Sequence, residues 1–496
     1  MAGDLVPDWL ARRAVTHRGQ PALTFGGTTW TFDHLDTKVQ AAAGVLAARG
    51  VAPGDRVALL ARNCPGFAIA VHAVARIGAI LVPLNRRLTE PELAWQMRDA
   101  GPAILLCDAA SEGVSRRASA SAGGVPVAEI ADDGIPIDGI GASRPGSALS
   151  LAAVQGIVYT SGTTGHPKAA QLTFANWWAG AAGSALHVGH RDDDRWLAAL
   201  PLFHVGGLAI LFRSVIGGVP VTLHDGFDPD AVRESIRGDR VTLVSLVAAT
   251  LRRLLDAPSS QDDLSSLRVA LLGGGPAPAP LVEEAIARGV PVAPTYGLTE
   301  AASQVTTLLP RDATRFPGSS GPPLPQVEVR IEHGGEPAPA GEAGEIAVRG
   351  QSVMPGYRGS GPIPPGGWFR TGDIGRLDDG GRLFVLDRRD DLIVTGGENV
   401  YPAEVEAALL RHTAVREAAV VGVPDDRWGS VPVAFVAYRG DDRPPDADVL
   451  ARAGEVLARY KLPRRIVAID AVPRNASGKI LRRALRERAA AGSPAT

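Results

Sequence analysis

The stretch "YTSGTTGHPKAA", residues 159–170, concentrates groups that hold phosphate. Thr160, Ser161, Thr163 and Thr164 bring hydroxyls, and Lys168 supplies an ammonium. Gly162 and Gly165 let backbone amides approach an anion closely. The spacing is not that of the common nucleoside-triphosphate loop, G-x-x-x-x-G-K-[ST], because Ala169 follows the lysine where that loop places a hydroxyl. A Gly/Ser/Thr-rich loop by itself is more often plain surface. Lys168 and the apolar run "LAAVQGIVY" just upstream shift the balance toward phosphate.

Other stretches carry single reactive groups, each with an ordinary structural reading beside it. Thr299 and Glu300 close "PTYGLTE"; an isolated Thr-Glu pair usually marks a helix start. Asp373 closes "GWFRTGD", where a turn carboxylate is the ordinary reading. Lys479 in "NASGKILRR" opens a basic segment that normally faces solvent. His204 in "LPLFHVGG" is a lone histidine, usually structural. "HVGH" at 187–190 offers two histidines and no third ligand, so no metal site is expected there.

These groups need a frame. Short Val/Ile/Leu runs at 56–61, 79–84, 103–108, 195–202, 241–246 and 269–275 alternate with Ala-rich helical patterns, which predicts layered α/β structure with parallel strands. The segment 109–150 is rich in Ala, Gly, Ser and Pro and is expected to be loosely looped surface. Beyond Gly372 the texture changes to short strands with a "DDGG" turn, a helix at "PAEVEAALLRH", further strands, a helix at 445–459 and a basic C-terminal helix. The expected organisation is a large N-terminal α/β domain, 1–386, and a small mobile α+β domain, 387–496, with a hinge near Asp387. The tail "AAAGSPAT" is expected to be disordered.

A chain of 496 residues with 45% hydrophobic content can bury large cores. The formal net charge of −2 gives no general attraction to nucleic acid. Cys64 and Cys107 are too few for a disulfide framework, and a reducing cytoplasm is the simplest setting. The opening "MAGDLVPDWLARRAV" has no secretory apolar run. "GFAIAVHAVARIGAILVPLN" is interrupted by His72, Arg76 and Pro83 and is read as a buried helix and strand, with no transmembrane segment.

Taken together and in order, "YTSGTTGHPK", "PTYGLTE", "GWFRTGD", "VLDRRDDLIVTGGENVYPAEVE" and "PRNASGKILR" resemble the adenylate-forming family of acyl-CoA synthetases, adenylation domains and luciferases. The resemblance spans nearly the whole chain. It departs at Ala169, where members usually have Gly. It implies a ligase in which a carboxylic acid attacks ATP to give an acyl-adenylate, and coenzyme A then displaces AMP. It implies Thr299 at the α-phosphate, Glu300 on Mg²⁺, Asp373 at the ribose, and Arg388 as a second ribose or phosphate contact. Gly274, Gly275 and Pro276 would lie beside adenine, with Tyr296 stacked on it next to Gly297. Lys479 becomes the cation bridging acid and α-phosphate, and His204 a pocket-gating residue. Gly396, Gly397 and Glu398 belong to the coenzyme A stage.

Less general stretches, among them "ALPLFHVGGLAILFRSVIGG" and "YGLTEAASQVTTL", resemble the branch of that family that activates o-succinylbenzoate for menaquinone. Its acid has an aromatic ring and two carboxylates. The pocket candidates are His204, Ser245, Ser303 and Gln304, with Arg213 either serving the second carboxylate or lying on an exposed helix face. A general fatty or aromatic acyl-CoA synthetase is the rival reading. A carrier-protein-loading adenylation module is a second, although no "LGG-x-S-[LI]" carrier motif is attached. A silent acyl-adenylate binding protein is disfavoured by the presence of Lys479, Glu300 and Asp373. Oligomeric state, including a homo-oligomer, stays open.

Overall fold

The structure, a computed structural model, describes residues 4–135, 148–160, 167–257, 264–275, 277–388, 391–395, 398–425, 428–440, 443–457, 459–475 and 478–491, without the side chains of 387, 388, 394, 398, 399 and 491. Ser161, Gly162, Thr163, Thr164, Gly165, Pro276, Gly396 and Gly397 lie outside the described residues, as does the end of the tail.

Two sheets dominate the N-terminal part. A seven-stranded sheet runs in the order 356–357, 168–173, 154–160, 80–83, 56–60, 104–107, 127–129. An eight-stranded sheet runs 303–307, 292–298, 269–272, 243–246, 196–198, 221–223, 21–25, 28–31. Both are parallel through the middle, as the apolar runs predict; the eight-stranded sheet is antiparallel at both ends, the seven-stranded one only at the end formed by 356–357, 168–173 and 154–160. Parallel strands need crossover helices, and burial on both faces explains why these strands read as unbroken apolar runs.

One core cluster joins both sheets through the helices Phe32–Ala48, Pro65–Ile77, Phe174–Val188 and Val205–Gly217. Every residue of Pro65–Ile77 is buried, with Pro65 in its first turn and Gly78 closing it at φ 77°. Its Arg76 is neutralised by Asp8 at 2.7 Å and Asp36 at 2.5 Å. The helix is thus enclosed by protein, and no helix among the described residues is long and apolar enough to cross a membrane. Cys64 and Cys107 are both buried and free.

The region 109–150 departs from expectation. It holds a helix, Glu112–Ser121, and strands at Val127–Glu129 and Ala148–Ser150. Its apolar periodicity is weak because small residues, Ser115, Ala118 and Ser119, do the burying. The predicted helix at 445–459 is shorter, Asp446–Gly454.

A third, antiparallel sheet runs 336–337, 327–333, 344–350, 369–377, 383–388. Asp387 sits in its last strand opposite Ile374, and Arg388 stands opposite Asp373. The next strand, Ile393–Thr395, belongs to a separate sheet with 398–400, 429–438, 415–425 and 466–468. That sheet has its own core, and buried Arg482 pairs there with Glu406.

Candidate active site

A cavity of about 1350 Å³ opens where the parallel strands end: Ala61–Asn63 after 56–60, Ala199 and Leu200 after 196–198, Val247 after 243–246 and Gly273 after 269–272. Open α/β sheets bind ligands in the crevice beyond their carboxyl ends. The third sheet adds Phe369–Asp373, and the C-terminal part closes one side with Arg474, Asn475, Gly478 and Lys479.

Asn63, 5% exposed, ties this rim together. Its amide nitrogen donates to the carbonyls of Leu200 (2.9 Å) and His224 (3.1 Å), and its amide oxygen accepts from the Leu202 amide (2.9 Å). The loop that carries His204 is thereby pinned to both sheets.

At the end of the cavity reached by the strands 154–160 and 168–173, Thr160 and Lys168 face each other across the pair. Lys168 Nζ lies 5.3 Å from the centre of the Tyr357 ring, a cation–π distance. The Tyr357 hydroxyl donates to Glu300 Oε1 at 2.6 Å. Thr299 and Glu300 line the cavity at the end of strand Val292–Leu298. The backbone is unusual there: Ala302 and Ser303 have φ of 52° and 103°. Gly297 is required, since a Cβ on it would stand 1.8 Å from the Ser303 carbonyl oxygen. Such strain persists only where surrounding structure imposes it.

Among the described residues no cluster of three or more His, Cys, Asp or Glu forms a metal cage. Glu300 suits a magnesium ion all the same, because that cation is commonly held by one or two carboxylates together with substrate phosphates. Among the described residues only Tyr357 hydrogen-bonds the Glu300 carboxylate, which leaves its second oxygen available.

Asp373 lines the cavity and accepts from the Tyr296 hydroxyl at 2.7 Å. Tyr296, 8% exposed, is packed in a core cluster with Ala301, Val305 and Leu383, behind the cavity wall and not on it. The ring expected to stack on a base is enclosed, and its hydroxyl holds the carboxylate. Gly274, at φ 77°, lines the cavity, whereas Gly275 does not. The side chains of Arg388 and Glu398 lie outside the described residues.

The opposite end holds His204, Arg213, Ser245, Ser303 and Gln304, all on the cavity lining. Arg213 is not on an exposed face: it is 6% exposed, donates from Nη2 to Gln304 Oε1 at 2.8 Å, and lies 5.5 Å from the Trp196 ring centre. Among the described residues no carboxylate pairs with it, and burial pushes its pKa down to about 10. Its Nε has no hydrogen-bond partner among the described residues. Gln304 is oriented in turn by donating to Thr307 Oγ1 at 2.9 Å. A desolvated, unneutralised guanidinium on a cavity wall is costly unless an anion joins it.

His204 occupies the N-cap position of the helix Val205–Gly217 without a side-chain capping bond, and its buried Nε2 has no partner among the described residues. Burial, then the positive charges of Lys479 and Arg87, push its pKa down to about 4. It is therefore neutral near pH 7 and offers a proton donor or acceptor without charge. The turn bearing Lys479 is held by the Lys479 amide donating to Asn475 Oδ1 (2.9 Å) and by Arg474 Nη1 donating to the Gly478 carbonyl (2.9 Å). His187 of the HVGH stretch bonds the Thr307 carbonyl at 2.8 Å, a structural role. Sequence reasoning missed Tyr357, Asn63 and Val247. For Tyr357 the one local signal is the Gly before it in "VMPGYRGS".

The chain matches the AMP-binding enzyme family over residues 10–358 and the AMP-binding enzyme C-terminal domain over 404–479. It belongs to the AMP-binding enzyme family. It is 44% identical over 489 residues to a 2-succinylbenzoate–CoA ligase of Geobacillus kaustophilus, covering 97% of both chains. Among solved structures it resembles the o-succinylbenzoate CoA synthetase (MenE) of Bacillus subtilis in complex with the acyl-adenylate OSB-AMP, with TM-score 0.88 and 39% identity over 97% of this chain and 98% of that one. The same Bacillus subtilis enzyme in complex with ATP and magnesium gives TM-score 0.88 and 40% identity, over 97% of this chain and 99% of that one.

Proposed function

We propose that this chain is an AMP-forming acid–CoA ligase acting on 2-succinylbenzoate. In the first half-reaction an oxygen of the acid attacks the α-phosphorus of ATP. The bond to the β-phosphate oxygen breaks and pyrophosphate leaves. In the second, the sulfur of coenzyme A attacks the acyl carbon and AMP leaves.

The residues divide accordingly. Thr160, Lys168 and the loop residues Ser161–Gly165 hold the phosphates that depart. Thr299 and Lys479 contact the α-phosphate, where preorganised donors stabilise developing charge. Glu300 holds magnesium, which when bound neutralises phosphate charge. Asp373 and Arg388 hold the ribose, Gly274, Pro276 and Gly297 surround the base, and Tyr296 supports from behind the wall by holding Asp373. The first half-reaction needs no general base because the attacking carboxylate is already an anion; in the second, the thiol gives up its proton to solvent as the acyl–oxygen bond to AMP breaks. Residues 387–496 turn about Asp387 between the half-reactions, withdrawing Lys479 and bringing Gly396, Gly397 and Glu398 to the thiol.

The observation that most supports the substrate is the buried, uncompensated Arg213–Gln304 pair on the cavity wall, with His204, Ser245 and Ser303 beside it. A fatty acid would leave it unpaired; the second carboxylate of 2-succinylbenzoate would neutralise it. The test measures pyrophosphate release and thioester formation with 2-succinylbenzoate, benzoate, malonate and straight-chain acids. Preferential thioester formation with 2-succinylbenzoate is expected. Equal or better turnover of a simple monoacid would return the chain to the general acyl-CoA synthetases.

A further inference from the structure

Tyr357 stands between two groups of opposite charge on the phosphate side of the cavity. It comes from the two-residue strand Gly356–Tyr357 at the edge of the seven-stranded sheet, where it pairs with Ala170, two residues beyond Lys168. The next residue reinforces this register, the Arg358 amide donating to the Ala169 carbonyl at 2.8 Å. Its ring sits edge-on to Phe369, centroids 6.2 Å apart, while Lys168 lies over it at 5.3 Å. Its hydroxyl reaches the Glu300 carboxylate at 2.6 Å, on the 3₁₀ turn Thr299–Ala301 that joins two strands of the eight-stranded sheet.

We propose that Tyr357 is a positioning residue that couples the magnesium-facing carboxylate to the lysine of the phosphate loop. Its hydroxyl occupies one oxygen of Glu300 and orients the other toward the metal, and its ring holds the Lys168 ammonium beside the same phosphates. The two halves of the side chain do separable work. A hydrogen bond from a supporting group to a ligating carboxylate is worth about 10–100-fold in metal affinity. The proposal rests on the reading of Glu300 as the magnesium carboxylate.

The experiment titrates ATP into the protein calorimetrically, in EDTA and again in magnesium. Tyr357→Phe keeps the ring against Phe369 and under Lys168 and loses only the hydroxyl. In that variant the tightening of ATP by magnesium shrinks by about tenfold or more, while affinity in EDTA holds. Tyr357→Leu, lacking the ring too, also weakens ATP in EDTA. Glu300→Gln abolishes the tightening, and adding Tyr357→Phe to it costs nothing further. If Glu300→Gln abolishes the tightening and Tyr357→Phe leaves it intact, the coupling through Tyr357 is overturned. If Glu300→Gln itself leaves the tightening intact, the assignment of the metal to Glu300 falls, and this proposal with it.

Discussion

Gly478 rests on Val247: a Cβ built on the glycine would lie 2.9 Å from Val247 Cγ2. Val247 follows the strand that carries Ser245 and, like it, lines the cavity. The turn presenting Lys479 is therefore seated on the cavity wall that carries Ser245, and the seat has no room for a methyl group.

The first prediction concerns this seat. Gly478 has φ of 81°, so Gly478→Ala adds both backbone strain and a clash. It should lower ATP–pyrophosphate exchange by on the order of 10²–10³, the scale of losing one preorganised contact. Conversion of supplied acyl-adenylate by coenzyme A should fall far less. An equal loss in the two half-reactions would show that the seat does not serve adenylation.

Arg213 should trade stability for selectivity. Its folded pKa is lowered by burial, so the protonated form is disfavoured in the native state. Arg213→Met removes a desolvated charge, and the melting temperature should match or exceed that of the parent. The kcat/KM preference for 2-succinylbenzoate over 4-phenylbutyrate should drop, by up to roughly 10⁴ if polar pairing dominates. A retained preference would place the second carboxylate elsewhere.

His204 supplies a pH prediction. Its pKa falls from 6.5 to about 4 on folding, through burial first and then Lys479 and Arg87. The unfolded chain therefore binds the proton more readily, and the contribution of His204 to stability is full above 6.5 and lost as pH falls toward about 4. Lys479→Met removes one of the repelling charges. An NMR titration of the His204 ring should find its pKa raised in that variant. An unchanged value would mean the lysine charge does not reach the imidazole.

Tyr296→Phe tests the enclosed ring. The ring stays in its core cluster, and Asp373 loses the 2.7 Å hydrogen bond. The KM for ATP should rise about tenfold, the scale of a bond to a charged acceptor. An analogue lacking both ribose hydroxyls should show little change between parent and variant. An equal rise with both nucleotides would detach Asp373 from ribose recognition.

Reading forward from the residues worked best where one residue type decides the matter. The helix Pro65–Ile77 is legible because its apolar run starts at a proline and stops at a glycine. The helix Glu112–Ser121 was hidden because buried serines look polar in a sequence. Arg213 could be read as exposed or buried, since the apolar surroundings of Val205–Gly217 fit either; only the sandwiching of that helix between two sheets decides it. Tyr357 was invisible for a different reason. Its partners Lys168 and Glu300 are far away in the chain, and an edge strand of two residues has no periodicity to read.

The helix Val205–Gly217 does two jobs within adjacent residues: Phe212 stacks on Trp177 at 4.6 Å inside the core, and Arg213 faces the cavity. Retargeting the enzyme to other acids by redesigning this helix would disturb the mortar between the sheets along with the pocket. The more tolerant route lies at the strand Leu243–Leu246, through Ser245, whose exchange leaves the helix intact, whereas Ser303 is held by its backbone at φ 103°. Evolvability in this scaffold is thus unevenly distributed, with one wall of the pocket open to diversification and the other held by the architecture.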